Sequence, residues 1–303
     1  MTDTFKPPAP LQTAVLFLVF NRPDTTAQVF EAIRKAKPPR LYVAADGPRP
    51  DRTDEAEKVA KVREIATAVD WPCEVKTLFR EENLGCKYAV SGGITWFFDH
   101  EEQGIILEDD CLPHPVFFTY CEENLVAYKY LSDIWAICGW TPFNIKIPSR
   151  SDYLSSYPSV WGWATWRDRW LYYDAEIFKK SNRDAIRVIP SRLLQYIYWV
   201  NFLNLSILSK IDTWDYQFTY LVVSRRGSAL RPTGNLVKNI GFGVDATHTV
   251  GPDIETQLSN QNPLGSTARH PDLIDAFLDF LLFMRRFGLC SFIKLLAQRM
   301  RHG

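Results

Sequence analysis

No CxxC pair occurs anywhere in the 303-residue chain: its six cysteines stand singly at positions 73, 86, 111, 121, 138 and 290. That spacing supplies neither a zinc knuckle nor a dithiol redox motif, and reduced thiols are the simplest expectation. Net charge is absent too. The 35 basic residues balance the 35 acidic ones, so nothing points to nucleic acid as a bulk electrostatic partner. Long apolar runs are missing as well. "AVLFLVF" (14–20) is short and leads into the turn-like "NRPD" with no small-residue cleavage site, which argues against a signal peptide. The longest apolar stretch, "LLQYIYWVNFLNLSIL" (193–208), is broken by Gln195, Asn201 and Asn204, and is expected as a buried helix rather than a membrane span. These absences lead to a cytoplasmic expectation.

Glycine is missing where several nucleotide-binding folds need it. "NRPDTT" after the first apolar run is neither GxGxxG nor a P-loop, which sets aside dinucleotide dehydrogenases and P-loop NTPases. Aromatic residues, in contrast, are plentiful, with 10 Trp, 13 Tyr and 19 Phe. Such a composition suits stacking against sugars and equally suits an ordinary core.

The regular part of the chain alternates strands and helices. Continuous β-branched and aromatic runs predict strands at 13–20, 40–47, 73–79, 104–107 and 134–139. Between them, helices are expected over 25–36 with Asp24 as N-cap, through Val59, Val62, Ala66 and Val69, over 83–100, and over 117–131. This order argues for an α/β fold, a mostly parallel sheet with helices on both faces. Beyond residue 150 the pattern becomes irregular and Trp-rich. The expected division is an α/β half at 13–150, a second half of the same domain at 151–260 and a helical tail at 261–303. The tail, amphipathic and basic at its end, has two readings: a helix docked on the domain, or a peripheral contact with an anionic membrane.

Ligands in such sheets bind outside the carboxyl ends of the strands. That rim carries Arg22 after the first strand, Asp46 closing the second, and Glu108, Asp109 and Asp110 after the fourth. Three adjacent carboxylates repel one another and resist desolvation unless a cation or donors meet them. Mg²⁺ or Mn²⁺ would reconcile such a cluster with a diphosphate, because the metal takes one or two carboxylates together with phosphate oxygens. Each rim residue also has a plain structural role open to it, since Arg22-Pro23 and Asp46-Gly47-Pro48 are good turns by themselves.

In their order along residues 14–250, several short pieces resemble the GT-A glycosyltransferases, and specifically the N-acetylglucosaminyltransferase I type of inverting enzyme. They are Arg22, Asp46, "EDD" (108–110), "IWAICGW" (134–140), "GW" (162–163), "TWD" (213–215), "LRP" (230–232) and His248. The resemblance implies a GT-A-like, Rossmann-like fold and a metal-dependent inverting transfer. A UDP-sugar or other nucleotide-diphosphate sugar would be the donor, and a saccharide or lipid-linked saccharide hydroxyl the acceptor, as in building cell-surface polysaccharide or glycolipid at the inner face of a membrane. It further implies that Asp110 ligates the metal, that Glu108 and Asp109 face the ribose or metal-bound water, that Asp46 contacts base or ribose, and that Arg22 approaches the phosphates. Trp161, Gly162 and Trp163 would form a sugar-stacking wall, and residues 233–249 a mobile loop bringing Lys238 or His248 to the diphosphate.

Asp215 is the expected base that takes the acceptor proton. Tyr216 departs from the family, which has a second acid there, so Asp212 stands as the fallback. Asp212 could equally cap the helix that follows it. Two other classes remain: a non-catalytic carbohydrate-binding protein on a degenerate scaffold, suggested by Tyr216, and a sugar nucleotidyltransferase, for which the expected glycine-rich basic loop is lacking.

Overall fold

The computed structural model describes residues 10–143, 147, 150–177, 212–241 and 268–287. Ten strands and seven helices lie among these residues. In chain order the first half contains β1 (Val15–Val19), α1 (Pro23–Ala36), β2 (Arg40–Ala45), α2 (Glu55–Ala66), β3 (Glu74–Phe79), α3 (Gly85–His100), β4 (Gln103–Glu108), β5 (Cys111–Pro113), α4 (Pro115–Ala127) and β6 (Ile134–Cys138). The second half contains β7 (Asp152–Ser155), β8 (Trp163–Trp166), α5 (Arg167–Trp170), α6 (Asp215–Ser224), β9 (Ser228–Pro232), β10 (Val237–Asn239) and α7 (Leu273–Phe287).

Eight strands form one sheet in the order β3-β2-β1-β4-β8-β6-β9-β7. β1 pairs in parallel with β2 and β4, β2 with β3, and β6 with β9. β8 runs antiparallel between β4 and β6, and β7 antiparallel on the far edge against β9. The sheet is therefore mostly parallel, with helices on both faces: an α/β, Rossmann-like architecture.

Alternation along the strands divides the core between the two faces. Val15, Phe17 and Val19 join Val29, Phe30 and Ile33 of α1 and Phe117, Cys121 and Leu125 of α4 on one face. Ala14, Leu16 and Leu18 join Ile94 and Phe97 of α3 and Phe218 and Leu221 of α6 on the other. Every β1 side chain is buried, which is why its sequence is a continuous apolar run instead of an alternating one.

Helix α1 starts two residues earlier than its sequence suggests. Pro23 occupies the first helical position, where its missing N–H costs nothing. Asp24 therefore sits inside the first turn, not at the N-cap, and Arg22 takes the cap position without a side-chain hydrogen bond. The expected helix at 193–208 lies outside the described residues. Among the described residues no helix is long and apolar enough to cross a membrane.

Candidate active site at the carboxyl ends of the strands

From β1 the sheet grows one way to β2 and the other way to β4, so the loops leaving β1 and β4 diverge and open a crevice. The register sets Leu18 beside Glu108, which brings the acidic turn alongside Phe20 and Arg22. Asp109 Oδ2 accepts the Phe20 N–H at 3.0 Å, fastening the two loops together. Arg22 Nη1 donates to Asp110 Oδ2 at 2.7 Å. β5 and β10 form a small antiparallel ribbon over this point, and the Ile240 N–H donates to the Asp110 carbonyl. A Cβ on Gly241 would fall 2.3 Å from Asp110 Oδ2 and 2.8 Å from Arg22 Nη1, so glycine permits the chain to pass this close.

The crevice holds a cavity of about 340 Å³ whose lining includes the carboxylates Asp46, Glu108, Asp109, Asp110, Asp212 and Asp215. Arg22, Arg49 and Arg80 are the guanidiniums that line it. If all are ionised, six negative charges face three positive ones, a surplus of three. The local acidities register this imbalance. Burial, then Asp110, Asp109 and Asp215, push the Glu108 carboxyl well above the usual carboxylate range, with Arg22 opposing. Burial and Asp110 push Asp109 up to about 7, against Arg22 and the Phe20 N–H. The Glu108 side chain makes no hydrogen bond or ion pair among the described residues.

A carboxylate with a raised folded-state pKa binds its proton more tightly folded than unfolded, so stability falls as pH rises from about 4 to about 7. Asp109→Asn keeps an acceptor for the Phe20 N–H and removes that penalty. Without divalent ions the variant should match the parent near pH 4 and exceed it by roughly 1–3 kcal/mol at pH 8. Thermal melts across that range check this, and a constant difference would contradict it.

Two of the predicted acids have structural duties. Asp46 accepts N–H bonds from Gly47, Leu84 and Gly85 at 3.0–3.1 Å, tying the end of β2 to the start of α3. Burial nevertheless raises its carboxyl, with those N–H groups pulling the other way. Asp212 does not cap α6, the helix it precedes. Its two oxygens accept the Cys86 and Lys87 N–H groups at 2.7 and 2.8 Å, so it caps α3 from more than a hundred residues away. Gly85, at φ +77°, leaves room for it, since a Cβ there would lie 2.4 Å from Asp212 Oδ2. Occupied in this way, Asp212 is a poor candidate base. Asp212→Ala should cost about 1–2 kcal/mol of stability with turnover of the folded protein kept; turnover lost in proportion to stability or beyond it would return Asp212 to the chemistry.

Asp215 opens α6, and the Thr213 hydroxyl donates to its Oδ1. A second cavity, of about 330 Å³, adjoins the first, and Val160, Trp161 and Asp215 line both. Asp215 thus stands where the two spaces meet. Trp161 packs edge-on to Trp140 with ring centroids 4.7 Å apart, which gives the second cavity an aromatic wall. Arg231, buried, holds that wall by donating to the carbonyls of Trp140 and Tyr157.

The expected stacking wall is corrected at Trp163. That side chain is 1% exposed and packs against Trp214 and Phe218 in the core. Gly162, at φ +61°, gives its carbonyl to the Gly139 N–H and packs under Val237, so neither residue lines the cavities. The expected loop at 233–249 is corrected in its first part, because Thr233, Asn235, Leu236 and Val237 are buried and Val237–Asn239 is strand β10. Lys238 belongs to that strand and is absent from both cavity linings. His248 lies outside the described residues.

Arg49 and Arg80 were not singled out from the sequence. Arg49 pairs with buried Glu55, which also accepts the Asn21 amide, and its guanidinium lies over the Phe20 ring. Arg80 makes no hydrogen bond through its guanidinium among the described residues. The available signal was position, since both follow strand ends, yet a lone surface arginine in a charged loop looks like any other.

Among the described residues no three His, Cys, Asp or Glu side chains are arranged as a ready-made metal cage. The fit is with a hard cation that brings its other ligands along. Mg²⁺ and Mn²⁺ commonly use one or two protein carboxylates plus phosphate oxygens and water. Unpaired Glu108, beside Asp110, answers that description.

No family model and no curated protein matches the chain. Among solved structures it is similar to a UDP-glucose pyrophosphorylase complexed with UDP-glucose, at 9% identity and a TM-score of 0.36, over 73% of this chain and 90% of that one. It is also similar to 4-diphosphocytidyl-2C-methyl-D-erythritol synthase from Anaerococcus prevotii, at 9% identity and a TM-score of 0.32, over 72% of this chain and 87% of that one. Likeness at this level carries no residue-level argument, and the fold rests on the sheet itself.

Proposed function

We propose that the chain is a metal-dependent transferase acting on a nucleotide-diphosphate sugar, and that it moves the sugar to a hydroxyl acceptor with inversion. The observation that carries this reading is Asp215 at the junction of two cavities. One is rich in carboxylates and guanidiniums and suits a nucleotide diphosphate with its cation; the other is aromatic-walled and suits a saccharide. Arg22, Arg49 and Arg80 would meet phosphate oxygens. Asp110 and Glu108 would hold the divalent ion, whose contribution is to offset charge developing on the diphosphate leaving group. Asp215 would take the acceptor proton, and Trp161 would orient the sugar ring between the two spaces.

A second reading, sugar nucleotidyl transfer, is favoured by the three guanidiniums, which offer enough positive charge for a triphosphate. Against it, β1 passes to α1 through Phe20, Asn21 and Arg22 alone, with no glycine. Incubation with nucleotide sugars, Mn²⁺ and either mixed saccharide acceptors or pyrophosphate separates the two. Release of nucleoside diphosphate supports glycosyl transfer, and pyrophosphate-dependent formation of nucleoside triphosphate supports nucleotidyl transfer. Saccharide binding with no response to any nucleotide would leave the carbohydrate-binding class.

A further inference from the structure

Helix α7 is apolar on both sides. Its inner side packs Leu278, Leu282 and Phe283 against Tyr153, Tyr157 and Tyr220. Its outer side carries Leu273, Phe277, Phe280 and Met284, exposed at 89, 60, 48 and 41%. Their steps of three and four residues place them on one stripe. Between Leu273 and Met284 the only charged residues are Asp275 and Asp279, and both are used inward. Asp275 accepts the Leu154 N–H and pairs with Arg269, while Asp279 accepts the Ser155 hydroxyl and the Ser156 N–H. No charge is left on the outer face.

A helix without a polar side belongs under cover, and an exposed apolar patch of this kind marks a contact surface. The sequence that follows identifies what the surface meets. From Phe280 to Gly303 there is no Asp or Glu, while Arg285, Arg286, Lys294, Arg299 and Arg301 are all basic. The chain as a whole is neutral, so this stretch, with five basic residues and no acidic one, stands apart in charge from the sequence before it. Apolar side chains that enter the acyl boundary beside cations that meet anionic headgroups are the combination that binds a lipid surface.

We propose that the outer stripe of α7, with the basic run behind it, docks the protein on an anionic lipid surface. The inference is independent of the transferase reading, since vesicle binding is measured without donor or acceptor. The full chain is sedimented with vesicles of phosphatidylcholine alone and of phosphatidylcholine mixed equally with phosphatidylglycerol. Binding to the mixed vesicles and not to the neutral ones is expected. Phe277→Ser combined with Phe280→Ser should weaken it roughly tenfold or more with the thermal melt unchanged. Arg299→Gln with Arg301→Gln, in the tail, should weaken it roughly tenfold as well, and gives the answer if the first variant is unstable. No binding, equal binding to both vesicles, or full binding by the variants overturns the proposal. So does self-association of the parent in sedimentation velocity that the phenylalanine variant abolishes, which would assign the stripe to a second copy of the chain.

Discussion

Asp215→Asn is expected to lower turnover about 10²–10⁴-fold while leaving nucleotide and divalent-ion binding nearly unchanged. The carboxylate begins α6 and lines both cavities. Asparagine preserves the shape and an acceptor for the Thr213 hydroxyl, so the helix start should survive. What it removes is the ability to take a proton at the carboxylate that, among the described residues, both cavities share. Single-turnover measurement of donor consumption, with nucleotide binding followed separately, distinguishes loss of chemistry from loss of binding. Full turnover in the asparagine variant would move the base elsewhere.

Asp110→Ala is expected to remove divalent-dependent binding of the donor and to lower turnover roughly 10²-fold or more. It deletes a carboxylate proposed to hold the cation and the ion pair with Arg22, whose side chain is 19% exposed and can reach water. The folding cost should therefore be modest, about 1 kcal/mol or less. Titration of Mn²⁺ by calorimetry, with and without a nucleoside diphosphate, follows the loss directly. A variant that still takes up Mn²⁺ with nucleotide would place the metal on other residues.

The fully buried parallel strands were legible because burial on both faces writes itself as an unbroken apolar run. β1, β2 and β4 therefore appear in the sequence within a residue or two of their limits. The rim residues followed, because the carboxyl ends of parallel strands share one edge. β8 was harder. Trp163 and Trp166 project to opposite faces of a central antiparallel strand and are both buried, whereas Trp161, just before the strand begins, reaches the cavities. A two-residue shift separates core from site, and aromatic composition does not encode it.

Asp212 shows a different limit. Its sequence position before α6 is a good local capping signal, yet the carboxylate serves the start of α3 through two tertiary hydrogen bonds. Local propensity lost to a partner brought in by the fold. Arg49 and Arg80 were invisible for a related reason, since only the folded sheet brings these separate loop arginines to the wall of one cavity.

A thermal-shift series with UDP-sugars, each with and without Mn²⁺, tests the central reading most directly. A bound donor at a hundred times its dissociation constant stabilises the fold by about 2.7 kcal/mol, or about 5 °C for a chain of this size. The expected result is a shift of that order with sugar nucleotide and Mn²⁺ together, and little with either alone. No shift with any nucleotide, or an equal shift without the metal, would contradict it.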